Sequence, residues 1–173
     1  MKKIGIFGGT FNPIHHGHLK MAEVARREYK LSYVYFMPCG IPPHKSKRGL
    51  LPAKLRYELV KKAIKGKKYF KVLDIEIKKK KPAYTINTIK RLVRACYSKP
   101  QQLYFLIGQD EFEDLHTWNK PDELAKMITF LVLPRKSRKI NPPKVKTLKW
   151  FKVHTKLINI SSSEIRKQQQ KHR

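Results

Sequence analysis

A chain of 173 residues with 40% hydrophobic content holds enough apolar material for the core of one ordinary domain, and no run approaches the roughly 18 consecutive apolar residues of a membrane span. Forty basic against twelve acidic residues give a formal charge of +28, which admits polyanionic partners and leaves a solvated lysine-rich surface as the plain alternative. Two cysteines far apart, Cys39 and Cys96, exclude a disulfide framework and fit a reducing compartment.

The first residues enter a strand directly, without a signal-peptide layout, so a cytoplasmic protein is expected. Lys2 to Phe7 is short, partly β-branched and punctuated by glycine, which predicts a buried parallel strand. Gly8 and Gly9 follow and let backbone amides approach a ligand closely. From about His18, Ala22, Ala25 and Tyr29 fall at helical spacing beside Met21, so a helix aims its positive end at the glycine turn. Anion binding is the expectation there. His15 and His18, three residues apart where chain becomes helix, can reach one small volume and donate to phosphate oxygens; a capping or surface pair is the plain alternative. Zinc is disfavoured, because neither cysteine has metal-motif spacing to these histidines and no acidic ligand is local.

Leu31 to Met37 reads as a second strand, followed by a Pro38–Lys45 loop stiffened by Pro42 and Pro43, which presents His44 and Lys45 to an anion or to solvent. Pro52 to Ile64 reads as a crossover helix. Phe70 to Ile77 alternates as a strand that the Lys78–Lys81 run and Pro82 must end. Thr85 to Ala95 is the next helix, with Thr85 either a cap or a donor to a carboxylate or phosphate. Leu103 to Ile107 is a continuous apolar strand ending in Gly108-Gln109-Asp110, where open α/β sheets hold ligands. Asp110 there accepts from ribose hydroxyls or caps a helix beginning near Glu111, and Trp118 stacks on a heteroaromatic ring or packs in the core.

Ile128 to Leu133 supplies another strand, Pro134 to Lys149 a long exposed loop, and Trp150 to His154 a last short strand. Ser161 and Glu164 have capping-box spacing, so a helix begins there with Ser161, Ser162 and Arg166 around its free amides; this is either a second anion site or an ordinary capped helix. A basic tail follows over about 167–173. Strands alternating with helices predict one α/β domain over 1–173: a Rossmann-like doubly wound parallel sheet with helices on both faces, bringing both anion sites to one edge. The Gly-x-Gly-x-x-Gly and P-loop patterns are absent after the first strand, which argues against hydride transfer and kinase chemistry.

The segment Gly8-Gly9-Thr10-Phe11-Asn12-Pro13-Ile14-His15-His16-Gly17-His18 resembles the signature of the nucleotidyltransferase superfamily with a His-x-Gly-His motif. Pro42-Pro43-His44-Lys45, Pro82-Ala83-Tyr84-Thr85, Gly108-Gln109-Asp110 with Trp118, and Ile160–Arg166 then occur in the order seen in bacterial nicotinate-nucleotide adenylyltransferases, and the likeness spans nearly the whole chain. It departs at Asn12, where Asp is common, at Gln109, where a small residue is usual, at Ser163 for Thr, and at Lys136-Ser137 after Arg135, where Pro-Gly is frequent.

The resemblance implies transfer of AMP from ATP to nicotinate mononucleotide, giving deamido-NAD and pyrophosphate. By that resemblance His18 and His15 contact the α- and β-phosphates, and the backbone of Gly8, Gly9, Thr10 and Phe11 lines the nucleotide. Gly108, Asp110 and Arg135 flank the adenosine, while Ser161, Ser162 and Arg166 hold the β/γ end. Thr85 receives the nicotinate carboxylate, Trp118 lies against the pyridine ring, and His44 and Lys45 sit in the loop over the mononucleotide. Mg²⁺ is expected on the triphosphate with few protein ligands. Two rivals differ in class of partner. Pantetheine-phosphate adenylyltransferase shares the glycine turn but usually has Thr where His15 stands and lacks the Pro-Pro-His-Lys loop; a basic RNA-binding protein accounts for the charge but not for the ordered anion sites, so nucleic acid is not the expected partner.

Overall fold

Side chains along the central strands alternate between two buried faces, and that alternation sets the architecture. The computed structural model describes residues 1–42, 49–79, 82–95, 101–134 and 138–155. Six strands, β1 (Lys2–Gly9), β2 (Tyr33–Pro38), β3 (Phe70–Val72), β4 (Gln101–Gly108), β5 (Thr129–Leu133) and β6 (Trp150–Lys152), pair all parallel in the order β3-β2-β1-β4-β5-β6. Ile4, Ile6, Phe105, Ile107, Phe130 and Val132 pack on one face; Phe7, Val34, Phe36, Leu106 and Leu131 pack on the other.

Each face needs a helical cover, since a parallel sheet is buried on both sides. Met21, Ala22 and Ala25 of α1 (His16–Glu28) and Val60 of α2 (Ala53–Ala63) cover the second face. Ile86 and Ile89 of α3 (Thr85–Ala95), Phe112 of α4 (Gln109–Glu113), and Leu124 and Ala125 of α5 (Pro121–Met127) cover the first. A single 3₁₀ turn, Leu115–Thr117, joins α4 to α5. The edge strand β6 is tied to α1 by the Tyr29 hydroxyl, which donates to the Lys152 carbonyl at 2.8 Å. The doubly wound parallel sheet with helices on both faces is therefore the observed architecture.

Several elements differ from the sequence expectation. The strand expected over Phe70–Ile77 ends at Val72, because Leu73 N donates back to Phe36 O and the chain then turns over 75–78, with Lys78 paired to Asp74 and Glu76 facing inward. Helix α1 begins at His16 rather than His18, and α4 at Gln109 rather than Glu111. Helix α5 was not expected at all, although Pro121 at its first turn and Asp122 and Glu123 beside it are N-terminal signals. The segment 138–149, expected to be exposed, has no regular element but buries Ile140 and packs Val145 and Leu148 on the core. The expected last strand is shorter, Trp150–Lys152. Among the described residues no helix is long and apolar enough to cross a membrane. The 161–166 helix start and the basic tail lie outside the described residues.

Candidate active site

The strand order reverses between β1 and β4, and the carboxyl ends of these two neighbours carry the glycines of the motif. Crevices outside such a switch point are where open α/β sheets receive ligands. Gly8, next to last in β1, lies against Phe105: a methyl group there would meet the tip of the buried Phe105 ring at 2.6 Å, so a larger residue requires that ring to move. The turn that follows is fixed by Phe11, whose φ of 46° is unusual for a bulky residue. Its buried ring holds that conformation by packing edge-on to Phe7 at 5.4 Å and against Phe36 at 5.7 Å.

The turn delivers the chain to α1, where His15 is the N-terminal flanking residue in extended geometry. The His15 amide donates to Nδ1 of His18 at 3.2 Å, and the His18 amide donates to the His15 carbonyl at 3.0 Å. Because Nδ1 of His18 accepts, the neutral ring carries its proton on Nε2, so a hydrogen bond made from that end is one the ring donates. The two imidazoles stack with centroids 3.8 Å apart, and His18, buried, leans on Phe11 at 5.2 Å. The first turn of α1 holds no acidic residue, so its amide dipoles are not offset locally.

A cavity of about 300 Å³ opens beside the same turn. Gly8, Gly9 and Thr10 form one wall, Tyr84 and Thr85 at the start of α3 another, and Trp118 a third. Trp118 is held edge-on to Phe105 at 6.1 Å. Three carboxylates, Glu76, Glu111 and Asp114, also line it, and no described lysine, arginine or histidine does. Glu76 is buried and accepts from the Thr88 hydroxyl at 2.8 Å, and its burial pushes the carboxyl upward in pKa. Burial likewise pushes the Cys39 thiol up, so this lining thiol is a weak nucleophile. Among the described residues no group of three or more His, Cys, Asp or Glu has the arrangement of a metal cage.

The walls are positioned by two side chains that the sequence reading passed over or weighed only as a departure. Arg56 of α2 has no solvent exposure and donates to four carbonyls: Thr10 and Cys39 at 2.7 Å, Gly40 at 2.6 Å and Leu51 at 2.9 Å. One guanidinium thereby ties the turn after β1 to the turn after β2. Asn12 donates to Gly49 O at 2.9 Å and accepts from Leu51 N at 2.9 Å. An aspartate accepts from that amide but, ionised, cannot donate to that carbonyl, so the Asn12 departure matches the path of the chain here.

Of the residues singled out from sequence, Gly8, Gly9, Thr10, Thr85 and Trp118 meet around the cavity. His15 and His18 stand on the α1 side of the same glycine turn and are not part of the cavity wall. The Phe11 side chain is in the core. Gly108 ends β4 without lining the cavity, and Asp110, on α4, lies 3.6 Å from Arg138. His44, Lys45, Arg135, Ser161, Ser162 and Arg166 lie outside the described residues, as does Cys96. Sequence reasoning missed Glu76, Tyr84, Glu111 and Asp114 in the wall. Tyr84 had a signal, since it sits in the Pro-Ala-Tyr-Thr motif; Glu76 had none, because the strand was read straight through it.

A cytidylyltransferase-like family model matches residues 6–168. A curated protein from Clostridium acetobutylicum, "Probable nicotinate-nucleotide adenylyltransferase", is 43% identical over 135 residues, 78% of this chain and 66% of that protein. One of the same name from Shouchella clausii is 40% identical over 167 residues, 96% of this chain and 83% of that protein. The chain spans 58–66% of the length of the Clostridium protein and four further curated relatives it matches. Among solved structures, Plasmodium falciparum nicotinic acid mononucleotide adenylyltransferase complexed with NaAD superposes with a TM-score of 0.79 at 22% identity, covering 96% of this chain and 83% of that one. A putative nicotinate-nucleotide adenylyltransferase from Vibrio parahaemolyticus gives 0.69 at 24% identity, covering 99% and 89%. These structural likenesses concern the fold.

Proposed function

The chain belongs to the cytidylyltransferase-like family, and from that premise we propose that it transfers the adenylyl group of ATP to nicotinate mononucleotide, releasing pyrophosphate and forming deamido-NAD for NAD biosynthesis. The observation that carries this reading is the open cavity beside the Gly8–Thr10 turn, bounded by Thr85 at the start of a helix and by the ring of Trp118. The names borne by the curated relatives point to the same reaction.

The chemistry asks little of a nucleophile. The attacking group is a phosphate oxygen of the mononucleotide, already anionic, so no general base is needed; the α-phosphorus changes partners in line and the pyrophosphate oxygen leaves with its electron pair. What the protein must supply is alignment of two polyanions and donors for the charge that grows on the leaving group. In this reading His18, donating from Nε2, and His15 serve the α- and β-phosphates, and the backbone of Gly8, Gly9, Thr10 and Phe11 lines the nucleotide. Ser161, Ser162 and Arg166 take the β/γ end, Gly108, Asp110 and Arg135 flank the adenosine, and His44 and Lys45 face the mononucleotide. The pyridine ring lies on Trp118. Its carboxylate meets amide N–H groups at Thr85, since the described wall offers no cation and three carboxylates. Mg²⁺ arrives on the ATP phosphates as part of the substrate and offsets their charge.

Pyrophosphate release from ATP and Mg²⁺, measured in parallel with nicotinate mononucleotide, nicotinamide mononucleotide and phosphopantetheine, tests the reading. Turnover is expected with the first and much less with the second. Equal rates with the two pyridine nucleotides sink the carboxylate assignment; preference for phosphopantetheine, or no turnover with any acceptor, sinks the function.

A further inference from the structure

A second concavity, about 610 Å³, runs along the outer side of α1 and shares no lining residue with the cavity at the glycine turn. His16, Lys20, Glu23 and Arg27 form one wall, and Lys67, Lys68 and Tyr69, in the turn before β3, form the other. The four α1 positions recur at i, i+4, i+7 and i+11, so they make one stripe on the face opposite Met21, Ala22 and Ala25. At 1.5 Å per residue the stripe is about 16 Å long, which suits an extended chain of anions rather than a single phosphate.

The charge balance of this groove is one-sided. Glu23, the acid in its wall, accepts from Arg26 at 2.9 Å and from Arg27 at 2.6 Å, and Arg26 beside it holds the carboxyl down to about 2, so it stays ionised and is occupied by these arginines. Lys20, Lys67 and Lys68 enter no salt bridge among the described residues. Tyr69 is 41% exposed and braced by the Arg26 guanidinium 4.2 Å from its ring centre. Lysines tracking a backbone beside an exposed aromatic ring are the two parts of a single-strand platform. A bilayer is flat and does not enter such a groove.

We propose that this groove binds single-stranded nucleic acid, its phosphates running along Lys20, Arg27, Lys67 and Lys68 and one base lying on Tyr69. The nucleotide chemistry at the glycine turn is a separate matter, since the two sites share no lining residue.

Fluorescence anisotropy with labelled oligo(dT) and oligo(U) of about 20 nucleotides, titrated between about 50 and 200 mM NaCl, tests it. Four phosphate contacts predict log K falling with log salt at a slope of about −3, since each single-strand contact contributes about −0.7. The triple charge reversal Lys20→Glu, Lys67→Glu, Lys68→Glu is expected to weaken binding at least about tenfold and to flatten the slope to about −1. Lys144→Glu, Lys146→Glu, Lys149→Glu makes the same change in net charge on exposed residues elsewhere and is expected to cost less than about threefold. Tyr69→Ala, which leaves the charge intact, is expected to cost about tenfold. Equal losses from the two triples, tighter binding to a duplex of the same length, or capture by phosphatidylserine vesicles with no oligonucleotide binding overturns the proposal. Thermal midpoints of all three variants separate loss of binding from loss of fold.

Discussion

Nη1 of Arg56 lies 2.7 Å from the carbonyl oxygen of Thr10, inside the protein and within the same guanidinium that holds the carbonyls of Cys39, Gly40 and Leu51. A buried cation without a carboxylate partner in hydrogen-bond contact is kept there by converging dipoles, and removing the fork strands those dipoles as well as the charge. Arg56→Lys presents three donors from one point and cannot reach four carbonyls spread over two turns. The substitution is expected to cost about 1–3 kcal/mol for each carbonyl left without a donor, read as a lowered midpoint of urea unfolding at unchanged m-value. A loss below about 1 kcal/mol means the clamp is energetically idle.

Gly40 follows from the same clamp. A methyl group at this position would sit 2.5 Å from the carbonyl oxygen of Glu76, which is backbone and cannot rotate away. Gly40→Ala is expected to cost about 1–3 kcal/mol and, because Glu76 lines the cavity, to raise KM for the mononucleotide. Gly66 is the control: its φ of 77° strains an alanine by about 1 kcal/mol, but nothing lies within 4 Å of the added carbon and KM is expected to stay put.

Much of this architecture could be read in advance. Continuous apolar runs gave β5 and the carboxyl end of β4 to within one residue, and the helix that starts at Thr85 was read from its first residue, because its apolar positions repeat cleanly. Period-two alternation failed at Leu73–Ile77. There, Leu73 and Ile75 pack on the core from coil and turn, and the Asp74–Lys78 pair spans the turn, which sequence spacing does not separate from a strand. Arg56 sits between Lys54 and Lys61 and reads as another surface cation; only the distant carbonyls of Thr10, Cys39 and Gly40 make it interior. Ile140 was hidden for a similar reason, in a proline- and lysine-rich stretch whose anchor, Glu113, is 27 positions away in chain order and carries no motif.

Glu113 is a test of acid stability. It accepts from both terminal nitrogens of Arg138, at 2.8 and 2.5 Å, and from Asn141 N at 3.0 Å, which moors 138–141 on α4. Arg138 first, then the Asn141 amide, lower its carboxyl from 4.5 to about 2. A carboxylate depressed in the folded state contributes stability above its unfolded value and loses it as pH falls through the folded one. Glu113→Gln is therefore expected to lower the thermal midpoint at pH 7 by no more than about 2–4 °C, since the pair is partly solvated. The gap to the parent should close between pH of about 4.5 and about 2. A gap that persists unchanged at the acid end contradicts the charge-based account.

His18 carries the sharpest prediction about catalysis. Its Nδ1 accepts from the His15 amide, which orients the ring and leaves Nε2 as the nitrogen that carries the proton in the neutral form. A donor fixed in advance stabilises a transition state more than a ground state, because its reorganisation has already occurred. His18→Ala is expected to lower kcat by about 10²–10³, equivalent to about 2.7–4 kcal/mol, with a much smaller change in KM for ATP. The same substitution removes a ring from contact with Phe7 and Phe11 and an acceptor from the start of α1, so some loss of thermal stability accompanies it. Phe11→Leu separates the two effects: it disturbs the same packing and leaves the imidazole in place. A fall in kcat as large for Phe11→Leu as for His18→Ala assigns the loss to packing, whereas a fall confined to His18→Ala assigns it to the donor.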